Sequence, residues 1–256
     1  MSWPRILVCL DVAGGRVVKG TRFTDLKDQG DTVALASRYA EQGADELLFL
    51  DIEASVPVDG ARATRLDWVH RVADELSIPF AVGGGVRSWE DALALLEAGA
   101  DRVGIGSAAT RDVGVLTSIA ERAGAQAVIL SLDALHIAPA ACVATRRGGR
   151  DVTGHDALDL ARRAVDAGAG EILLNVIDAD GTRAGFDVAY TRQVADAVTV
   201  PVVASGGAGN PAHFLRVLTE GRANAALGAG LFHDGSHTVC QVKDYLISHG
   251  LEVRPC

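Results

Sequence analysis

No uncharged apolar run of 18 residues occurs in this 256-residue chain, so a membrane-spanning helix is not expected. The N-terminus has one early arginine and no long apolar core of the kind a signal peptide needs. A long basic run is also missing. With 24 Lys+Arg against 33 Asp+Glu the net charge is −9, and nucleic acid is not the expected partner. Cysteine is scarce: Cys9, Cys142, Cys240 and Cys256 are scattered, without metal-ligand or paired spacing, which fits a reducing cytoplasm. Of the seven histidines only His233 and His237 are four apart, and Asp234-Gly235-Ser236 between them reads as a loop. They are read as surface or capping residues, and neither a metal site nor a cofactor is expected.

What the chain has is apolar content, 48%, enough for a sizeable core in one large domain or two small ones. Short β-branched runs alternate with Ala/Leu/Arg/Glu-rich amphipathic segments. Strands are expected at 6–11, 46–51, 80–83, 102–106, 127–133, 171–176, 202–205 and 223–228. Helices are expected at 32–42, 63–76, 89–98, 113–123, 155–167, 188–197, 211–218 and 238–249. Several helices stop at a glycine: Gly43, Gly99, Gly124, Gly168 and Gly250. Eight such alternations predict an α/β fold, a single (β/α)8 TIM barrel over 1–256. An open doubly wound sheet is the other fold considered, but no Gly-x-Gly-x-x-Gly follows the first strand.

The chain also repeats itself. Asp11 recurs 122 residues later as Asp133, and the Pro79–Gly85 run recurs at the same offset as Pro201–Gly207. A two-fold half-barrel repeat follows, with halves at roughly 1–124 and 125–256. Strands one and five then stand opposite, and Asp11 and Asp133 face each other across the barrel mouth.

A carboxylate closing an apolar strand, as Asp11 does, is a cap, a turn residue or a functional group, because burying it bare is costly. Its repetition favours function: two carboxylates over one mouth can act as general acid and general base. Asp51, Asp178 and Asp180 lie at the same level, with a turn or cap as the other reading. The segment after Asp11, from Gly14 to Gly20, reads as a flexible, charged loop. Gly84 and Gly85 follow strand three, Gly106-Ser107 follows strand four, Gly206-Gly207 follows strand seven, and Gly228 and Gly230 bracket the turn after strand eight. Such loops let backbone N–H groups approach an anion. A symmetric pair of sites suits a substrate phosphorylated at both ends; tight turns alone are the other reading. Arg5, Glu46, Arg102 and Glu171 open strands one, two, four and six on the opposite face, where charges ordinarily form a solvated rim.

Cys9-Leu10-Asp11 with Gly15-Arg16-Val17-Val18-Lys19-Gly20 resembles the cyclase subunit family of imidazole glycerol phosphate synthase, from histidine biosynthesis. So do Asp45-Glu46-Leu47, Val82-Gly83-Gly84-Gly85, Gly168-Ala169-Gly170-Glu171, Asp180-Gly181-Thr182 and Ala204-Ser205-Gly206-Gly207. The resemblance runs from about Arg5 to Arg254. It implies the barrel fold and an ammonia-dependent cyclase and lyase. The substrate would be a bisphosphorylated ribulosyl formimino-aminoimidazole carboxamide nucleotide, and a partner glutaminase would supply ammonia as the other half of a heterodimer. It further implies that Asp11 and Asp133 are the acid/base pair and that Lys19 rides a loop closing over substrate. The glycine loops, with Ser107 and Ser205, would hold the phosphates, and Asp51, Asn175 and Asp180 would line the mouth. Arg5, Glu46, Arg102 and Glu171 would form a gate for ammonia rather than a solvated rim, and Asp101 would face the glutaminase.

Some positions depart from the family pattern. Glu53 stands in place of a threonine and Ala179 in place of an arginine. Both make the mouth more negative, unfavourable for a bisphosphate by about 1 kcal/mol each. Leu160 replaces a common tryptophan, and the run Ala134-Leu135-His136-Ile137-Ala138-Pro139 replaces a more polar, often basic one. A paralogous ammonia-channelling subunit with another phosphorylated sugar derivative, a phosphoribosyl isomerase of the same pathway, and a non-catalytic glutaminase activator are the alternatives. Retention of Asp11, Lys19 and Asp133 speaks against the last.

Overall fold

Runs such as Ile6-Leu7-Val8-Cys9-Leu10 are apolar at every position, as a strand covered on both faces requires. In a computed structural model that describes residues 3–21, 24–54 and 66–256, these runs form a closed barrel. The strands in chain order are β1 (Arg5–Ala13), β2 (Arg16–Thr21), β3 (Thr24–Asp31), β4 (Glu46–Asp51), β5 (Phe80–Gly83) and β6 (Arg102–Ile105). They continue with β7 (Val128–Ala138), β8 (Ala141–Arg146), β9 (Asp151–Asp156), β10 (Glu171–Val176), β11 (Val202–Ser205) and β12 (Ala225–Gly228). Parallel pairing runs β1-β4-β5-β6-β7-β10-β11-β12 and back to β1. This is a single (β/α)8 barrel. β1 and β7 lie four strands apart in the ring of eight and therefore face each other.

Helices cover the outside: α1 (Thr32–Glu41), α2 (Leu66–Glu75), α3 (Trp89–Glu97), α4 (Gly114–Ala123), α5 (Ala157–Asp166), α6 (Val188–Ala197), α7 (Pro211–Thr219), the single turn α8 (Gly230–His233) and α9 (Val239–Ser248). Their starts are written in the sequence. Asp31, Ser88, Asp156, Asp187, Asn210 and Thr238 each accept a first-turn amide, satisfying donors the helix itself leaves open. All five glycine stops have positive φ, the backbone region where a side chain costs most.

Strand alternation then sorts the side chains. Ile6, Val8, Leu10, Phe49, Val82, Leu130 and Leu174 pack against the helices in the outer core. Leu7, Cys9, Leu48, Ala81, Ile129, Leu173, Val203, Ala225 and Leu227 fill the axis as a separate apolar cluster. Asp45, Asp101 and Asn224 sit just before β4, β6 and β12, and accept the amides of Ile6, Phe80 and Val202 on neighbouring strands. This stitches the N-terminal face of the barrel.

Four expectations need correction. The segment expected as a flexible loop after Asp11 is a strand: β2 pairs antiparallel with β1 (Asp11 opposite Val18) and with β3. A matching antiparallel excursion, β8 and β9, grows from β7, where Asp133 lies opposite Thr145. Only backbone pairing across strands decides such pieces, since neither alternates cleanly in sequence. His155 belongs to β9, and α5 starts at Ala157 because Asp156 is its cap. Cys240 and Cys256, expected to be unpaired, form a disulfide with Cα atoms 5.8 Å apart. The turn at Gln42 and Gly43 lies beside them, with Cys240 Sγ 3.1 Å from Gln42 O. Lastly, His233, expected as a surface or capping residue, is half-buried and bridges elements: its ring joins Tyr39 Oη (2.6 Å) on α1 and Cys9 O (2.9 Å) on β1. Among the described residues no helix is long and apolar enough to cross a membrane.

Candidate active site

At the C-terminal end of the axis the inward positions change from apolar to polar. Asp11 continues the Leu7, Cys9 side of β1, and Asp133 continues the Ile129, Ser131 side of β7, so the two carboxylates face the same mouth from opposite strands. Asn175, in register with Asp133 on β10, donates from Nδ2 to Asp133 Oδ1 at 3.0 Å. Both acids are half-buried, keeping some contact with solvent while barrel wall surrounds them. Burial pushes Asp11 up to about 7, and the nearby charge of Asp180 adds to the effect. Burial likewise pushes Asp133 up to about 6, opposed by the Asn175 hydrogen bond and again assisted by Asp180. Asp180 is held in a tight turn after β10, its amide donating to Val176 O at 3.1 Å.

The glycine loops surround this mouth. Gly84, Gly85, Gly206 and Gly207 all have positive φ. A Cβ on Gly84 would collide with Asp51 O, and one on Gly207 with Gly185 O. Close packing of neighbouring loops therefore already requires glycine here, whatever anion the exposed amides also meet. Ser205 pairs in register with Asn175, inside the same ring. Ser107 Oγ accepts from the Arg147 amide at 3.3 Å, tying the loop after β6 to the β8–β9 turn, and a Cβ on Gly106 would lie 3.2 Å from Ser131 O. A Cβ on Gly228 would press on the Phe232 ring at 2.6 Å, and Gly230 opens the short α8.

Two carboxylates expected to shape the mouth are engaged elsewhere. Asp51 falls with Leu47 and Phe49 on the helix side of β4, and its Oδ1 accepts the amides of Glu53 (3.1 Å) and Ala54 (3.0 Å) as a turn cap. Glu53 reaches out to the Gly14 amide at 2.8 Å, pinning the β1–β2 turn instead of adding charge beside the axis. Lys19 sits in β2 opposite Lys27, but its side chain lies outside what is described.

The other end of the axis is closed by charge. Arg5 donates to both Glu46 and Glu171, and Arg102 reaches Glu171 at 2.7 Å and Glu46 at 3.3 Å. Glu46 and Glu171 are only 1% and 4% exposed, which a solvated rim would not allow. Burial pushes Glu46 above the usual carboxylate range, with the two arginines opposing. Asp101, beside Arg102, spends one oxygen on the Phe80 amide at 2.9 Å.

One cluster was not foreseen from sequence. His136, three residues beyond Asp133, bonds Asp187 Oδ2 through Nε2 at 2.6 Å, and its backbone amide donates to Asp178 Oδ2 at 2.9 Å. The His136 substitution was visible; its partner 51 residues away was not. Among the described residues no group of three or more His, Cys, Asp or Glu side chains is placed to hold a metal.

Comparison with known proteins agrees with this arrangement. The family model described as histidine biosynthesis protein matches residues 5–238. A relative from Metallosphaera sedula named imidazole glycerol phosphate synthase subunit HisF is 50% identical over 254 residues, 99% of this chain and 100% of its own length. Relatives of the same name from Leifsonia xyli subsp. xyli and Solibacter usitatus are each 51% identical, over 98% of this chain and 98% and 97% of their own lengths. The chain belongs to the histidine biosynthesis protein family, alongside the HisF subunits of imidazole glycerol phosphate synthase.

Proposed function

We propose that this chain is the cyclase subunit of an imidazole glycerol phosphate synthase. In this reading it takes ammonia and a bisphosphorylated ribulosyl formimino-aminoimidazole carboxamide nucleotide to imidazole glycerol phosphate and aminoimidazole carboxamide ribotide. The observation that carries the reading is the pair Asp11 and Asp133, opposed at the mouth and held at unusually high pKa. Ring closure needs a proton removed on one side and water lost with help from the other, so two opposed carboxyl groups, one ionised and one protonated, suit it. Asn175 favours the ionised form of Asp133, which makes Asp133 the better base and Asp11 the better acid.

The apolar axis between the Arg5–Glu46–Arg102–Glu171 plug and the mouth supports a route for uncharged ammonia, which bulk water would protonate. A glutaminase partner would dock at the plugged face, near Asp101, in a cytoplasmic heterodimer. The glycine turns and Ser205 would take the two phosphates, with Lys19 closing over them. Turnover of the bisphosphorylated nucleotide with ammonium salt at high pH, without glutaminase, tests the reading. Activity lost in Asp11→Asn and Asp133→Asn supports it; a folded wild-type protein without turnover sinks it.

A further inference from the structure

The loop from β10 to α6, residues 177–187, carries Asp180 and passes beside the Gly206-Gly207 turn. Its two ends are held by one residue. Near the start, Asp178 Oδ2 accepts the His136 backbone amide at 2.9 Å; at the end, Asp187 Oδ2 meets His136 Nε2 at 2.6 Å. Asp187 uses its other oxygen to cap α6 through the Tyr190 amide (2.9 Å), and the Tyr190 ring packs edge-on against His136 at 5.7 Å. The second ring nitrogen of His136 faces Ala138 O at 3.4 Å. Two acceptors on one ring favour the doubly protonated imidazolium, and the pKa of His136 is raised, first by the Asp187 bond.

The middle of the loop touches the site. Gly185 N donates to Gly207 O at 2.8 Å. A Cβ placed on Gly206 would lie 3.1 Å from Asn175 Oδ1 and 3.5 Å from Asp180 N, so the glycine turn, the loop and the partner of Asp133 meet at one point. Slack at either end of the loop is thus transmitted to Asp180, whose charge acts on both Asp11 and Asp133.

We propose that His136 is a positioning residue for the cyclase reaction: its ring fastens the Asp187 end of the β10–α6 loop, the Asp178 end being held by its backbone amide, and so holds Asp180 in place beside the Asp11–Asp133 pair. The assignment rests on the cyclase reading above. It concerns a position where this chain departs from the more basic segment usual in the family, and it needs no contact between His136 and substrate.

The test compares His136→Gln and Asp187→Asn with wild type in the intact protein. Asp187→Asn keeps an α6 cap while removing the charge opposite His136. Ammonia-dependent kcat and KM are measured across pH, and the carboxyl groups of Asp11 and Asp133 are titrated directly by carbon-13 NMR without substrate. Both variants are expected to move the two carboxyl titrations and the matching limb of the kcat profile to lower pH by roughly half to one unit. A fall in kcat of about tenfold is expected with them. Either variant, folded and less stable but with wild-type carboxyl titrations, overturns the proposal. Absence of turnover in wild type defeats the cyclase reading alone, because the carboxyl titration does not depend on it.

Discussion

A carboxyl group that must share a proton at neutral pH has to be kept away from water, and Asp11 illustrates what that costs the fold. Its pKa is raised to about 7, so between its ordinary value and about 7 the folded chain binds more protons than the unfolded one. Stability from this group is therefore greatest at low pH and declines as pH rises through that window. Because Asp11 keeps some contact with solvent, the loss is discounted to about 1–2 kcal/mol. Asp11→Asn is expected to abolish turnover yet raise Tm at pH 8, with the gain shrinking toward pH 4. Equal changes in Tm at both pH values would contradict this account. Glu53 belongs to the same scale. Its bond to the Gly14 amide holds the turn leading into the Lys19 strand. Glu53→Thr is expected to leave unfolding stability nearly unchanged, within about 0.5 kcal/mol, as an exposed contact should. KM for the bisphosphorylated substrate should rise several-fold, since that strand carries Lys19, which we propose closes over the phosphates. An unchanged KM would show that the turn needs no such tether.

At the scale of elements, helix starts and stops were legible because each depends on one or two adjacent residues, such as Asp31 before α1 or Gly99 after α3. The excursions β2–β3 and β8–β9 were not legible. Their register depends on pairing with β1 and β7, and the sequence between Gly14 and Gly20 reads as charged loop. The link between Cys240 and Cys256 was hidden for a similar reason: sixteen residues separate them, and only the fold of α9 and the tail back onto Gln42 brings the sulfurs together. A closed loop of that length implies that reduction, or Cys256→Ser, lowers unfolding stability by about 2–3 kcal/mol. Urea unfolding with and without a dithiol reductant measures it, and coincident curves would mean the link contributes nothing.

Across the whole molecule, the barrel separates two kinds of charge by an apolar axis. One end holds carboxyl groups at raised pKa; the other holds Arg5, Glu46, Arg102 and Glu171 in a mutually paired plug. Removing Arg5 leaves Glu46 and Glu171 buried with one cation between them, yet it lies a full barrel length from Asp11 along the same strand. In complex with the proposed glutaminase partner, Arg5→Ala is expected to reduce glutamine-dependent turnover at least about tenfold, while turnover with added ammonium salt falls less than about threefold. Equal losses with both nitrogen sources would contradict a gating role.

Periodicity alone carried the eight-fold alternation, and the repetition of Asp11 at Asp133 carried the opposed pair, because both are properties of spacing along one chain. Glycine turns were visible as turns, but that Gly207 must be bare because Gly185 O passes against it is a fact of two loops meeting. Tertiary structure alone decided which carboxylates face the axis and which cap a turn. Asp51 and Glu53 look equivalent to Asp11 in sequence, yet nearby amides engage both, while Asp11 and Asp133 point into the axis. It alone paired His136 with Asp187, and bound four strand-opening charges into a plug. The reason is range: strand and cap preferences act over a few residues, whereas a pKa, an ion pair or a backbone collision depends on whatever the closed barrel brings within a few ångströms.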